Sequence, residues 1–334
     1  MPTAAPIKIG YIVGRPFDRI TPTPIGADGN LAGGTATPVN IHLMPVQAAI
    51  QRAAQEFGWS FELAPPEALR TLAQSASVIV VDDATSQATT RAVAAEFPKV
   101  YFVGVNQSAV EDPPPNLLML GGPPSRQDQA GFLAGMAAGL ATQTRKVAVV
   151  GDPATAEGLK YRNGFLHGVR YACPRCRVDF IDVANTDQTT WASEEAARYA
   201  LYGTDVFFGA AGPAGDAALT AAAENGAWAL GSVNDAYATF FNNGAAPGAD
   251  RVLTSVYLDA GEALYTALAS YHAGKPLSGV QPLSATTGAI VLAPVRDKIG
   301  ALTALDQADL AAALARLADG SLDTGIDPLT GEER

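Results

Sequence analysis

Histidine, cysteine and basic residues are scarce in this sequence, and each shortage argues against a class of function. The three histidines (His42, His167 and His272) lie in separate segments and lack the spacing of metal ligands. Lysine and arginine number 22 against 33 acidic residues, which gives a net charge of -11. Nucleic acids and anionic membrane surfaces require a basic face on the protein. The sequence therefore predicts no metal site and no nucleic-acid partner.

Long apolar runs are also missing. No run of about 18 apolar residues occurs, so the sequence predicts no membrane-spanning helix. The N-terminal stretch MPTAAPIKIGYIVG has neither the basic n-region nor the long apolar core of a signal peptide. These features fit either a cytoplasmic protein or a mature exported domain without its leader.

The segment DVFFGAAGPAGDAALTAAAENG (205–226) has the order of strand, glycine turn and helix that often holds a phosphate. Its glycines, Gly209, Gly212 and Gly215, are spaced G-x-x-G-x-x-G and not G-x-G-x-x-G, and no Lys-Ser/Thr pair follows. A nucleotide-cofactor loop is therefore disfavoured. A simpler interpretation is that the glycines let the turn and helix pack closely. No G-x-S-x-G nucleophile elbow occurs, and the sequence shows no catalytic residues.

Both cysteines, Cys173 and Cys176, lie in the stretch YACPRCRV between a helix-like and a strand-like run. A thioredoxin-like redox pair would follow a strand and open a helix, so redox catalysis is disfavoured. A zinc site would need two further ligands, which the sequence does not supply. A local disulfide in an exported protein and two thiols in a turn both remain open.

Apolar runs without polar alternation recur along the chain and alternate with segments of helical spacing. They include KIGYIVG, SVIVVDD, VYFVGVN, KVAVVGD and DVFFGAA. Such strands belong to parallel sheets that helices cover on both faces. The alternation restarts after VYFVGVN, which predicts an α/β protein with two doubly wound parallel-sheet lobes. Because ligands of such sheets bind outside the carboxyl ends of the strands, functional residues are expected at those ends.

Four blocks occur in order along the chain: QAGFLAGMAAGLAT with KVAVVGD, NGFLHGVRYACP, GTDVFFGAAGPAGDAALTAAAENGAWALGSVND and VLTSVYLDAGEALYTALASYHAGK. In sequence and spacing they resemble the basic membrane protein family. The members of that family are the purine-nucleoside-receptor-like substrate-binding components of ABC importers. The tail LARLADGSLDTGIDPLTGE resembles the family's closing segment.

The resemblance implies a type I periplasmic-binding-protein fold, in which two lobes joined by crossover strands close on a ligand. We expect one lobe over residues 1–122 plus 254–287 and the other over 123–253 plus 288–334, with the ligand cleft between them. The resemblance also implies no enzymatic activity and no cofactor. The expected partners of the chain, itself a monomer, are a small-molecule ligand and an ABC permease. The expected location is extracytoplasmic, either periplasmic or anchored as a lipoprotein.

The chain departs from the family's binding motifs in several places. An Asp-x-x-Phe-Asn element is replaced by a stretch that contains Phe17 and Asp18, and Asn106 stands where a ribose-binding carboxylate is expected. Gly-Val-Asp-x-Asp-Gln becomes GSVNDA (231–236), and Thr-Ser-x-x-Lys becomes TSVYL (254–258), which lacks the lysine. These losses indicate a ligand that differs from a standard ribonucleoside.

The predicted ligand contacts are residues of strand ends, the first loop and the glycine turn, together with aromatic side chains suited to a planar group. They are Phe17, Asp18, Asp83, Asn106, Trp191, Phe208, Gly212, Asn234 and Asp235. Trp191 either packs at a helix start or stacks on the ligand. Asp83 lines the cleft or lies in a solvated turn, and Asp235 contacts the ligand or caps a turn.

The predicted function is that of an extracytoplasmic solute-binding protein of an ABC importer. It binds a nucleoside-like or nucleobase-like molecule, and lobe closure follows because the ligand favours the closed state. The alternative is a cofactor-binding enzyme of doubly wound architecture.

Overall fold

A computed structural model describes residues 7–13, 45–82, 86–105, 107, 112–296 and 300–334. The strands in these ranges are β1 (Lys8–Val13), β2 (Ser60–Ala64), β3 (Val78–Asp82), β4 (Tyr101–Val105), β5 (Leu117–Leu120), β6 (Lys146–Gly151), β7 (Arg177–Asp182), β8 (Val206–Ala210), β9 (Trp228–Gly231), β10 (Val252–Leu258), β11 (Gly279–Gln281) and β12 (Ile290–Leu292). The α-helices are α1 (Pro45–Phe57), α2 (Leu69–Ala73), α3 (Gln87–Glu96), α4 (Gln127–Ala141), α5 (Ala156–Ala172), α6 (Thr189–Leu201), α7 (Gly212–Glu224), α8 (Ala260–His272) and α9 (Ala304–Ala318).

The chain divides into two compact units, and the first comprises Met1–Gly122 and Ala260–Gln281. Its sheet has the strand order β11-β5-β4-β3-β1-β2, with parallel neighbours throughout. Strand β4 is buried along its whole length, as a parallel strand covered on both faces must be. The apolar run VYFVGVN thus forms the interior strand that its composition predicts.

The second unit comprises Pro123–Asp259 and Pro282–Arg334. Its sheet has the order β12-β10-β9-β8-β6-β7, and only the edge strand β12, which pairs with β10, is antiparallel among the described pairs. Apolar cores lie on both faces, one around Phe165 and Phe208 and the other around Phe207 and Leu219. The predicted α/β class with two parallel-sheet lobes is confirmed.

The observed division differs from the expected lobe boundaries in two segments. Residues 254–259 and 282–287 lie in the second unit, whereas we expected them in the first lobe. For 254–259 the physical reason is strand pairing, because β10 is hydrogen-bonded between β9 and β12. Residues 282–287 are bonded to the start of α4, where the Arg126 N–H donates to the Leu283 carbonyl oxygen and the Ala285 N–H to the Oε1 atom of Gln129. An apolar run such as VLTSVYL fits the interior of either sheet, and its composition does not select one.

Helices α4 and α5 pack backbone against backbone through glycines on both helices. A Cβ atom added at Gly168 would lie 1.9 Å from the carbonyl oxygen of Phe132. One added at Gly135 would lie 2.1 Å from the carbonyl oxygen of Phe165. The regularly spaced glycines of QAGFLAGMAAGL and NGFLHGV therefore serve helix packing, and they hold α5 against the second unit's core.

Cys173 and Cys176 form a disulfide in the turn between α5 and β7. Because the bond closes a loop of a few residues, we expect it to contribute about 2 kcal/mol or less. A Cys173→Ser, Cys176→Ser variant should melt no more than about 5 °C lower in calorimetry. It should bind ligand with unchanged affinity, since the turn lies at the amino end of β7. A loss of affinity beyond about tenfold with an unchanged circular dichroism spectrum would contradict this expectation.

Candidate functional site

The carboxyl edge of the second sheet brings together three of the predicted site residues. Strands β8 and β9 are parallel neighbours, with Gly209 opposite Gly231. The Gly212 turn follows β8, and Asn234 and Asp235 follow β9. Because parallel strands end at the same edge, the turn and the two polar residues lie side by side where ligands of such sheets bind.

The Gly212 turn opens helix α7 and requires glycine. The φ of Gly212 is +52°, a left-handed conformation that side chains disfavour. The backbone N–H of Ala214 donates to the carbonyl oxygen of Thr186 over 3.0 Å, which fastens the turn to the loop after β7. The turn is therefore a defined backbone structure at the sheet edge and not a loose linker.

Trp191 lies in the first turn of α6, soon after the loop that contacts the Gly212 turn. It is 41% exposed, far more than a tryptophan that packs into the core. Much of the indole therefore remains available for another planar group.

Phe208 lies in the core, whereas a ligand contact requires a side chain that the ligand can reach. Its side chain is fully buried, stacked at 5.4 Å on Phe165 and in edge contact at 6.0 Å with Tyr161. Both faces of β8 are covered, and the neighbouring Phe207 is buried in the opposite core. Phe208 is thus a core residue, which corrects its assignment as a ligand contact.

Asn234 and Asp235 shape a tight turn through their side chains. Thr239 donates its hydroxyl to the Oδ1 atom of Asn234 over 2.7 Å. The backbone N–H of Tyr237 donates to the Oδ1 atom of Asp235 over 3.2 Å, and that of Thr239 to the Asp235 carbonyl oxygen over 3.0 Å. Asp235 therefore caps the turn, which is one of the two interpretations given for it, and its contact with a ligand stays a prediction.

Arg296 is a further candidate site residue, which the sequence analysis did not predict. Its Nη2 atom lies 2.9 Å from the Oδ2 atom of Asp235, and its guanidinium lies over the Tyr237 ring at 4.4 Å. Burial and the nearby carboxylates of Asp259 and Asp235 raise the pKa of Tyr257 to about 12, so its hydroxyl stays neutral. In the sequence, Arg296 is the only charged residue of VLAPVR (291–296). Nothing in that segment indicates that its side chain reaches Asp235.

In the first unit, three strands end together at the carboxyl edge of the sheet. Val13 is opposite Asp82, and Asp82 is opposite Val105. The Tyr11 hydroxyl donates to the Oδ2 atom of Asp82 over 3.2 Å, and burial, followed by the charge of Asp82, raises the Tyr11 pKa. The other predicted contacts lie outside the described residues: Phe17, Asp18, Asp83 and Asn106.

Asp216 is a partly buried carboxyl group one turn beyond Gly212 on α7. Burial raises its pKa from 3.8 to about 6. Among the described residues its carboxylate has neither a hydrogen-bond donor nor a cation as partner. The ionised form is therefore the less favourable one in the folded protein.

We expect Asp216→Asn to stabilise the protein by about 1–3 kcal/mol at pH 7.5 and not at pH 4. The folded-state pKa lies above the unfolded value, so the benefit of protonation is complete below about pH 4 and is lost as the pH rises through about 6. The amide is neutral at both pH values. Urea unfolding at the two pH values measures the difference, with the exposed Asp309→Asn as control. A neutral or destabilising effect at pH 7.5 would show that the carboxylate is well solvated or paired.

Neither a cluster of metal ligands nor a membrane-spanning helix occurs among the described residues. Across the ranges that the structure covers, no three His, Cys, Asp or Glu side chains are grouped as metal ligands. No helix in the same ranges is long and apolar enough to cross a bilayer.

Solved structures share this fold over nearly the whole chain. A transcriptional activator of the comK gene from Bacillus halodurans superposes with a TM-score of 0.71 at 15% identity, covering 94% of this chain and 99% of the other. A solute-binding protein of an ABC transporter system from Conexibacter woesei gives 0.69 at 20% identity, with 95% and 98% covered. One from Aeropyrum pernix gives 0.62 at 15%, with 95% and 93% covered. The fold is that of type I periplasmic solute-binding proteins.

Sequence comparison identifies the family. No curated protein sequence matches the chain. The profile of the Bmp family, described as ABC transporter substrate-binding protein PnrA-like, matches residues 69–299, more than half of the chain. The chain therefore belongs to this family, which confirms the resemblance seen in the sequence. Its members are extracytoplasmic substrate-binding proteins of ABC transporters and not enzymes, which implies a small-molecule ligand and a permease partner.

Proposed function

We propose that this protein delivers a nucleoside-like or nucleobase-like molecule to an ABC importer. The family match over residues 69–299 is the observation that carries this proposal. Trp191 is exposed and follows the loop whose Thr186 carbonyl oxygen accepts from the Gly212 turn, which supports a ligand with a planar part. The polar turn at Asn234 and Asp235, which also holds Arg296, supports hydrogen bonding to its edge.

Ligand binding drives the function through a shift in conformational equilibrium. A ligand that contacts both units favours a closed state, and the permease then recognises that state. The protein acts as a monomer without a cofactor, in the periplasm or anchored as a lipoprotein. Small-angle scattering that shows no decrease in radius of gyration at saturating ligand would contradict closure.

A thermal-shift panel tests the ligand class. Adenosine, inosine, uridine, cytidine and their bases are compared with D-ribose, D-arabinose and branched amino acids. A ligand at 100 times its Kd stabilises the folded state by about 2.7 kcal/mol, so nucleosides or bases should raise Tm clearly. A panel in which only sugars or amino acids raise Tm would contradict the proposal.

Two exposed aromatics at opposite ends of α6 provide a matched pair of variants. Trp191→Ala should weaken binding of the active nucleoside by about tenfold or more, because base stacking on an aromatic ring contributes about 1–3 kcal/mol. Tyr202→Ala, which removes a side chain that is 69% exposed at the other end of the helix, should leave affinity unchanged. Equal affinities for both variants would remove Trp191 from the site.

A further inference from the structure

The Asp235 carboxylate is already engaged within its own unit. One oxygen accepts from the backbone N–H of Tyr237 and the other lies 2.9 Å from the Nη2 atom of Arg296. A carboxylate that binds sugar hydroxyls needs open acceptor positions, and these two contacts already take up one position on each of its oxygens. The guanidinium of Arg296 has an N–H donor at this turn without a partner among the described residues.

Arg296 is held in place by three separate contacts. Its backbone N–H donates to the carbonyl oxygen of Leu253 over 2.7 Å, which ties the segment after β12 to β10. Asp235 contacts the end of the side chain, and the Tyr237 ring lies against the face of the guanidinium at 4.4 Å. A guanidinium fixed in this way loses little rotamer freedom when it binds a further acceptor.

The Nε–H of Arg296 is a buried donor that meets no acceptor among the described residues. Buried N–H groups in folded proteins are almost always paired, so an orphan beside predicted ligand residues is a position where an acceptor atom of a ligand would complete the pairing. Arginine has five N–H donors and no acceptor, so this position can recognise only an acceptor atom. A carbonyl oxygen on the edge of a heterocycle meets that requirement, and an exocyclic amine does not.

We propose that Arg296 determines ligand specificity, that Asp235 positions it, and that the site selects heterocycles with a carbonyl edge over their amino counterparts. The inference rests on the proposed function. It predicts that inosine binds more tightly than adenosine and uridine more tightly than cytidine. In each pair the compounds have the same sugar and nearly the same shape. They differ in an oxo or amino group and in whether the adjacent ring nitrogen carries a hydrogen.

Isothermal titration calorimetry of the four nucleosides on the full chain tests the proposal. Wild-type protein should bind the oxo member of at least one pair about 10- to 100-fold more tightly than the amino member, as expected for one buried hydrogen bond. Arg296→Met should abolish this ratio. Arg296→Lys keeps the charge but lacks the Nε donor, so it should retain only part of the oxo/amino affinity ratio. Arg251→Met, a variant of another arginine of the same unit that lies over the Trp228 ring, should leave the ratio unchanged.

A double-mutant cycle tests the role of Asp235, and the measured quantity is the same oxo/amino affinity ratio. Asp235→Asn should reduce the ratio in the wild-type background and have no effect in the Arg296→Met background, because it acts through the arginine. An equal effect in both backgrounds would make Asp235 a direct contact and overturn its positioning role.

The possible failures are distinguishable. If nucleosides bind but oxo and amino members bind equally, or if Arg296→Met retains the preference, the specificity inference is wrong and the proposed function stands. If no nucleoside or base binds and only sugars or amino acids do, the proposed function fails, and the inference fails with it.

Discussion

Lys160→Met is expected to lower the free energy of unfolding by about 3–5 kcal/mol. Lys160 lies on α5 with 2% of its surface exposed. Its ammonium group donates to the carbonyl oxygens of Pro123, Ser125 and Pro328 over 2.7, 2.8 and 3.1 Å. Methionine fills a similar volume but donates nothing, so three carbonyl groups lose their partner at once.

The size of this effect follows from what Lys160 connects. Pro123 and Ser125 lie where the chain enters the second unit, and Pro328 belongs to the C-terminal tail. Burial lowers the pKa of Lys160, which shows that the folded protein holds this charge at a cost. The three hydrogen bonds offset that cost, and their loss should loosen the tail from α5.

Lys146→Met is the matched control for Lys160→Met. The Lys146 ammonium donates to a single carbonyl oxygen, that of Tyr202, over 2.9 Å on the protein surface. Its loss should change stability by less than about 1 kcal/mol. Urea unfolding followed by circular dichroism measures both variants. Equal losses in the two would show that the buried clamp contributes no more than a surface contact.

The strands of both sheets were predictable where apolar runs are long. SVIVVDD, VYFVGVN, KVAVVGD and DVFFGAA became β3, β4, β6 and β8, because strands covered on both faces need apolar residues at every position. Strands β5, β11 and β12 went unrecognised. They have three or four residues each, too few to show periodicity, and their place in the sheets depends on pairing with a neighbouring strand.

The location of the candidate site residues was predictable from the sequence, but their contacts with other side chains were not. The rule that ligands bind at the carboxyl ends of strands located Gly212, Asn234 and Asp235 at one edge. It could not show that Asp235 already contacts Arg296, which lies 61 residues further along the chain. It also could not orient Phe208, because both faces of a fully buried strand consist of apolar residues.

The second large loss of stability is expected from adding a side chain to a glycine at the contact between α4 and α5. At Gly168 an added Cβ would lie 1.9 Å from the Phe132 carbonyl oxygen and 2.9 Å from the Met136 backbone nitrogen. Backbone atoms in the middle of a helix cannot rotate away as side chains do, so the two helices would have to separate. That separation would open the core around Phe165, which the second unit's sheet shares.

We therefore expect Gly168→Ala to destabilise the protein by about 3 kcal/mol or more, although alanine is intrinsically the better helix former by about 1 kcal/mol. Gly139→Ala on α4 is the matched control. There the added Cβ would meet the Cβ atoms of Ala172 and Cys173 at 3.2 and 3.3 Å, a tight contact that a small shift relieves. The control should stay within about 1 kcal/mol of wild type. Urea unfolding compares the two variants, and a Gly168→Ala protein as stable as the control would show that the helices do not pack at backbone contact.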